Sequence, residues 1–179
     1  MELLTISGSL RTGSFTTSLL NHAEKLAGSE GHRVHRFDRV AEIPPFNEDH
    51  ESAPPAVVTD LRAAIRNSDA VLIATPEYSG SIPGQLKNLL DWAARPADRS
   101  VLIDRPAAVI SASPSDYGAA WAREATEHVL TQMGALVVRT GWGLSKAQLI
   151  ADLGAQAIDA DSESKLRKII GQLAPALPR

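Results

Sequence analysis

Two periods of hydrophobicity alternate along this chain. Residues 3–6, 70–74, 107–111 and 136–138 form short, mostly apolar runs, and runs of that length between turn formers predict strands buried on both faces. Residues 32–37 differ, with Val34 alternating against charged neighbours, as at a sheet edge. Between these runs apolar residues recur at helical spacing. Leu19, Leu20, Ala23, Leu26 and Ala27 form one stripe, and Val58, Leu61 and Ile65 form a second within 57–67. Leu86, Leu89, Leu90 and Ala93 make a third, and Trp121, Ala125, Val129 and Met133 a fourth. Leu166, Ile169, Ile170 and Leu173 close the chain within 162–173. Gly31 and Gly134 are placed to end the first and fourth helices. Pro83 suits a first helical turn, which needs no N–H there, so the third helix is expected to start at Pro83 with Ser81 or Ile82 near its cap.

Strands alternating with helices predict a three-layer α/β sandwich, a five-stranded parallel sheet covered by helices on both faces. The strand order 2-1-3-4-5 places the loops after strands one, three and four on one rim, where open α/β sheets bind ligands. Residues 42–55 are too rich in proline and acid for regular structure, and a loop of that length lines a site or braces a subunit contact.

Composition narrows the function. The 179 residues suit a single domain over 1–179, with no linker or repeat to divide it. A hydrophobic fraction of 44% and a net charge of −3 give no reason to expect a nucleic acid or an anionic membrane as partner. The chain has no cysteine, which excludes disulfides, thiolate catalysis and thiolate metal sites. Strand-like residues from Leu3 leave no room for a signal peptide and no apolar run reaches membrane-spanning length, so the cytoplasm is the expected compartment. No GxSxG elbow is present and nothing assembles a hydrolase triad. His32 and His35, three apart on a strand, face opposite ways and make a poor metal pair, so no metal site is expected. His22, His50 and His128 are expected at or near the surface, and Trp92, Trp121 and Trp142 as core or interface anchors.

Candidate chemistry lies in the three rim loops. The first, residues 7–14, carries Ser7, Ser9, Thr12 and Ser14, with Thr16 just beyond, plus Gly8, Gly13 and a single cation, Arg11. Hydroxyls, backbone N–H groups and the positive end of a helix dipole make a phosphate site; the plainer alternative is a Ser/Thr-rich helix cap. Neither GxxxxGK[ST] nor GxGxxG is present, which argues against an NTPase and a dinucleotide-binding domain. The second loop, from Pro76 to Gly84, kinks at Pro76, Gly80, Pro83 and Gly84 and carries Glu77, Tyr78, Ser79 and Ser81. It presents backbone, which suits a flat, uncharged ring, or it is an ordinary strand-to-helix connection. The third loop reads SASPSDYGAA from Ser111. A phosphate tail with a planar head matches this set, and FMN is the obvious candidate.

The loops GSLRTGS and PEYSGSIPGQLKNLLDW, in this order and at this distance, resemble the NAD(P)H-dependent FMN reductase family, which includes quinone and chromate reductases. The segment IPPFNED is similar to that family's loop after strand two. The resemblance implies a flavodoxin-like fold and FMN, with NADPH or NADH as co-substrate. It implies that Ser9, Arg11, Ser14, Phe15 and Thr16 hold the phosphate. Pro76, Glu77, Tyr78, Ser79, Gly80 and Ser81 would run along the isoalloxazine, and Ser111, Ser113, Ser115, Tyr117 and Gly118 would form a third wall. This chain departs from the family where Thr16 and Ser79 replace asparagine and where Ala119 replaces a glycine.

Implied with this is an enzyme without a catalytic side chain, the chemistry lying at flavin N5 and the kinetics being ping-pong. Two electrons would pass to a quinone, flavin or other small acceptor, and the chain would assemble as a homodimer or homotetramer. A flavodoxin-like electron carrier or a flavin-binding sensor is the alternative; the modest charge and Arg11 disfavour the carrier. Glu77 is expected to be structural or a subunit contact, Tyr78 and Tyr117 to line an acceptor slot, and the apolar residues from Leu86 to Trp92 to face a partner chain or the protein's own sheet.

Overall fold

A computed structural model describes residues 1–145 and 158–174. Strands β1 (Glu2–Ser7), β2 (Arg33–Phe37), β3 (Ala70–Thr75), β4 (Pro106–Ser111) and β5 (Leu136–Val138) form one parallel sheet in the order β2-β1-β3-β4-β5. Helices α1 (Phe15–Ser29), α2 (Ala56–Arg66), α3 (Gly84–Ala93), α4 (Ala120–Gln132) and α5 (Ala160–Leu173) complete a flavodoxin-like sandwich. Alternation along the strands divides the core. Leu4, Ile6, Val71, Ile73, Ala107 and Val109 pack with α2, α3 and α4, whereas Leu3, Leu72, Ala74, Ala108 and Ile110 pack with α1 and α5. The register Leu4↔Val71 and Ile73↔Val109 keeps each set on its own face.

Strand β2 is one edge of the sheet and β5 the other, and of the β2 residues only Phe37 is buried. Arg33 and His35 both pair with the Glu2 carboxylate of β1, so the exposed strand carries charge, as protected edges do. The apolar face of α3 turns to the protein's own sheet: Leu86, Leu89, Leu90 and Trp92 are buried there. That helix also holds the long loop after β2. Gln85 Nε2 donates to the Val40 and Ile43 carbonyls, and Asn88 Nδ2 and Trp92 Nε1 each donate to the Pro44 carbonyl at 2.8 Å.

Two helices differ from expectation. Pro83 is the N-cap of α3, one residue before the helix: its ψ of 136° is extended while its carbonyl already accepts from Lys87 N at 3.0 Å. The apolar stripe of α4 is only partly buried: Val129 and Met133 pack against the core, but Trp121 does not. The helix's buried positions are Ala122, Arg123, Thr126, Glu127 and Leu130, and Trp121 is 53% exposed. Thr126 and Glu127 find partners as they turn inward, while Arg123 Nε is buried with no hydrogen-bond partner among the described residues. Thr126 Oγ1 donates to the Ala122 carbonyl at 2.7 Å, and Glu127 lies between Arg123 and Arg139 and accepts from Thr140 N. Burial holds the Glu127 carboxyl above its ordinary value, against the pull of those neighbours.

Candidate functional site

The carboxyl ends of β1, β3 and β4 open onto one cavity of about 330 Å³. Ser9, Arg11, Ser14, Phe15 and Thr16 line it from the first loop, Pro76, Glu77 and Tyr78 from the second, and Ala112, Ser113 and Pro114 from the third. The volume falls in the range of small-molecule sites.

At the first wall the chain leaves β1 through Gly8, whose N–H donates to the Ala74 carbonyl at 2.7 Å and extends the β1–β3 pairing. A side chain at Gly8 would meet Leu86 Cδ2 at 2.8 Å. Ser14 caps α1, its Oγ accepting from Thr17 N at 3.4 Å. The N–H groups of Phe15 and Thr16 have no acceptor among the described residues, the state in which a helix start offers donors to an anion. The first turn of α1 carries no acidic residue. Arg11 lies over the Phe15 ring, 5.1 Å from its centroid, with Nη2 donating to the Gly13 carbonyl at 3.0 Å. Thr16 is buried and its Oγ1 reaches the Ala112 carbonyl, which ties the first wall to the third. A cap and an anion-ready helix start are thus compatible in one structure, since Ser14 satisfies one donor and leaves those of Phe15 and Thr16 free.

The second wall is a tight hairpin. Tyr78 and Ser81 exchange backbone hydrogen bonds of 3.2 and 3.1 Å. Ser79 (φ 53°) and Gly80 (φ 70°) form the turn, and two successive positive φ values are the mark of a type I′ turn. Ser79, Gly80 and Ser81 form the exposed tip, outside the cavity lining, while Pro76, Glu77 and the half-exposed Tyr78 line the cavity. Glu77 Oε2 accepts from Ala122 N of α4 at 3.1 Å, so this carboxylate is structural in one respect at least.

The third wall is backbone packed on backbone. Leu144 N donates to the Ser111 carbonyl and Ser113 N to the Leu144 carbonyl, at 2.8 and 3.0 Å. Ser111 is buried, with Oγ donating to the Gly118 carbonyl at 2.6 Å, and so stands behind the wall. Gly118 and Gly143 pass so closely that a Cβ on Gly143 would lie 2.4 Å from the Gly118 carbonyl oxygen. Ser115 meets Ser113 Oγ at 3.0 Å without lining the cavity. Tyr117 is 66% exposed and stacks on Trp121, ring centroids 5.2 Å apart, rather than entering the cavity. Ala112 and Pro114 line the cavity although nothing in their side chains marks a site; only their place in the loop after β4 could have pointed to them.

The NADPH-dependent FMN reductase profile matches residues 1–148. This chain belongs to the NADPH-dependent FMN reductase family. An NAD(P)H-dependent FMN reductase of Pseudomonas aeruginosa is 35% identical over 99% of this chain and 93% of its own. A quinone reductase of Escherichia coli K12 is 34% identical over 77% of this chain and 73% of its own. Among solved structures, the flavoenzyme NAD(P)H:(acceptor) oxidoreductase FerB from Paracoccus denitrificans superposes with a TM-score of 0.85 at 30% identity, covering 97% of this chain and 95% of that one. Membership in the family makes this chain an FMN-dependent oxidoreductase. No group of three or more His, Cys, Asp or Glu is placed to hold a metal among the described residues, and none of their helices is long and apolar enough to cross a membrane.

Proposed function

We propose that this chain binds FMN in the rim cavity and works as an NAD(P)H-dependent reductase of quinones or similar small acceptors. The observation that carries the reading is the convergence, in one cavity, of an anion-ready helix start with a loop that offers backbone to a planar ring. Its donor set fits FMN. The Phe15 and Thr16 N–H groups, with Ser9, Ser14 and Arg11, would hold the phosphate. Pro76, Glu77 and Tyr78 would run along one side of the ring, and Ala112, Ser113 and Pro114 along another. When bound, FMN supplies hydride acceptance from the nicotinamide and two-electron transfer to the acceptor.

The chain's own part is to anchor the phosphate end, keep the two ring walls apart and leave one face open. No side chain in the lining is needed as nucleophile or acid. Assembly belongs to the same proposal. The exposed Tyr117–Trp121 stack and Tyr78 form an apolar edge beside the cavity, which a second copy would cover, giving a homodimer or a dimer of dimers. Light scattering of the wild type beside Trp121→Arg tests this, with the wild type expected as dimer or larger and the variant as monomer.

Anaerobic stopped-flow tests the activity. FMN-loaded protein mixed with NADPH or with NADH is expected to bleach, to regain its colour on adding a quinone, and to give parallel double-reciprocal plots at steady state. Flavin that stays oxidised with both nucleotides overturns the reductase reading in favour of a carrier or sensor.

A further inference from the structure

Helix α4 has no cap of its own. The residue before it, Ala119, is left-handed (φ 59°, ψ 39°) and offers no side-chain hydrogen bond, and the first turn of the helix carries no acid. The Glu77 carboxylate supplies what is missing from 45 residues away, Oε2 accepting from Ala122 N at 3.1 Å. This acceptor belongs to the second wall of the cavity, and the helix it caps leads out of the third. Trp121 makes a second contact between the same two parts, its Cε3 lying 3.7 Å from where a Cβ on Gly80 would stand.

The three walls are therefore tied in a closed triangle. Gly8 N to the Ala74 carbonyl joins the first to the strand that leads into the second, and Thr16 Oγ1 to the Ala112 carbonyl joins the first to the third. Glu77 to Ala122 joins the second to the third. Of these ties only the last has a charged partner, and a carboxylate accepting at a helix N-terminus gains both a charge-assisted hydrogen bond and a favourable dipole. It also spans the two walls between which a planar ring would lie.

We infer that Glu77 is the positioning residue of the flavin ring, setting the separation of the second and third walls through the N-terminus of α4 rather than by touching the reacting atoms. The inference rests on the reading of the cavity as an FMN site.

The test titrates FMN into wild type, Glu77→Ala and Glu77→Gln, following quenching of flavin fluorescence and the visible spectrum of the bound flavin. Circular dichroism and melting of each apo protein accompany it. Glu77→Ala is expected to fold, to bind FMN roughly tenfold more weakly, as loss of one charge-assisted hydrogen bond implies, and to shift the flavin absorption band. Glu77→Gln keeps an acceptor for Ala122 N and is expected to recover most of the affinity and the wild-type band. Wild-type affinity and spectrum in Glu77→Ala overturn the inference, and so does a Gln variant as defective as the Ala variant. An Ala variant that loses its fold also overturns it, since the cap would then serve the fold and not the cradle. Wild type that neither quenches FMN nor bleaches with a nicotinamide overturns the FMN reading itself, a result separate from equal binding by wild type and variant.

Discussion

Helices α1 and α4 both begin at the rim and frame the cavity, yet they are specified in different ways. Helix α1 is written locally. Ser14 caps it, Gly13 turns into it with a φ of 67°, and its buried Leu19, Leu20, Ala23 and Ala27 are its apolar stripe. Helix α4 is written by the rest of the molecule. Its cap comes from Glu77, its entry passes through left-handed Gly118 and Ala119, and its buried face carries Arg123, Thr126 and Glu127 beside a stripe that is only partly buried. A helix with its own cap can leave donors free for an anion. One capped from another loop is useful instead for fixing a distance.

The sharpest way to break the comparison is at Gly143. An added Cβ would lie 2.2 Å from Ser111 Oγ and 2.4 Å from the Gly118 carbonyl oxygen. Gly143→Ala is expected to cost about 3 kcal/mol in denaturant unfolding, as forced overpacking against backbone does. At Gly13 an added Cβ meets nothing within 4 Å, so its demand is conformational only.

The entry to α4 can also be relieved. Ala119 holds φ 59°, a region where a Cβ costs roughly 1–2 kcal/mol. Against that strain stand the greater chain entropy of glycine and the loss of a fully buried methyl, so Ala119→Gly is expected to change stability by about 0.5 kcal/mol or less. Ser79→Asn, at φ 53° in the type I′ turn, is expected to gain about 0.5 kcal/mol or less, asparagine being the better residue there. Thermal melts of both variants check these values, and a loss of about 1 kcal/mol or more at either site contradicts the strain assigned to it.

The smallest effect is a pH slope from the polar core of α4. Glu127 has a folded pKa above its ordinary value of 4.5, chiefly through burial. A group of this kind contributes stability that is complete below the ordinary value and is lost as the pH rises through the elevated one. Melting temperatures compared at pH 5 and pH 8 are therefore expected to favour Glu127→Gln over wild type more at pH 8 than at pH 5. An unchanged difference contradicts the assignment.

The same contrast explains what could be read before the structure. The sheet order, five strands and the first cradle rest on apolar runs and on residues adjacent in sequence, such as Ser14, Gly13 and Arg11. Those signals carry their own geometry. The buried face of α4 could not be read because Glu127 takes partners from beyond the helix, Arg139 and Thr140, and Arg123 pairs with Glu127 in turn. The second and third walls of the cavity are less legible for a similar reason. Ser111 and Tyr117 look like site residues in sequence, yet one hydroxyl is taken by Gly118 and one ring stacks on Trp121, whereas plain Ala112 and Pro114 face the cavity. At Ser79 and Ala119 the departures from the family fall on positive-φ positions, where backbone conformation gives them a physical meaning.

The most direct measurement is an FMN titration of Ser14→Asp beside wild type. Aspartate is as good an N-cap as serine and suits a helix N-terminus, so apo stability is expected to hold. A carboxylate at that cap would oppose the phosphate, and FMN affinity is expected to fall on the order of 100-fold or more. Equal affinity in the two proteins would contradict the claim that the start of α1 is where the phosphate is held.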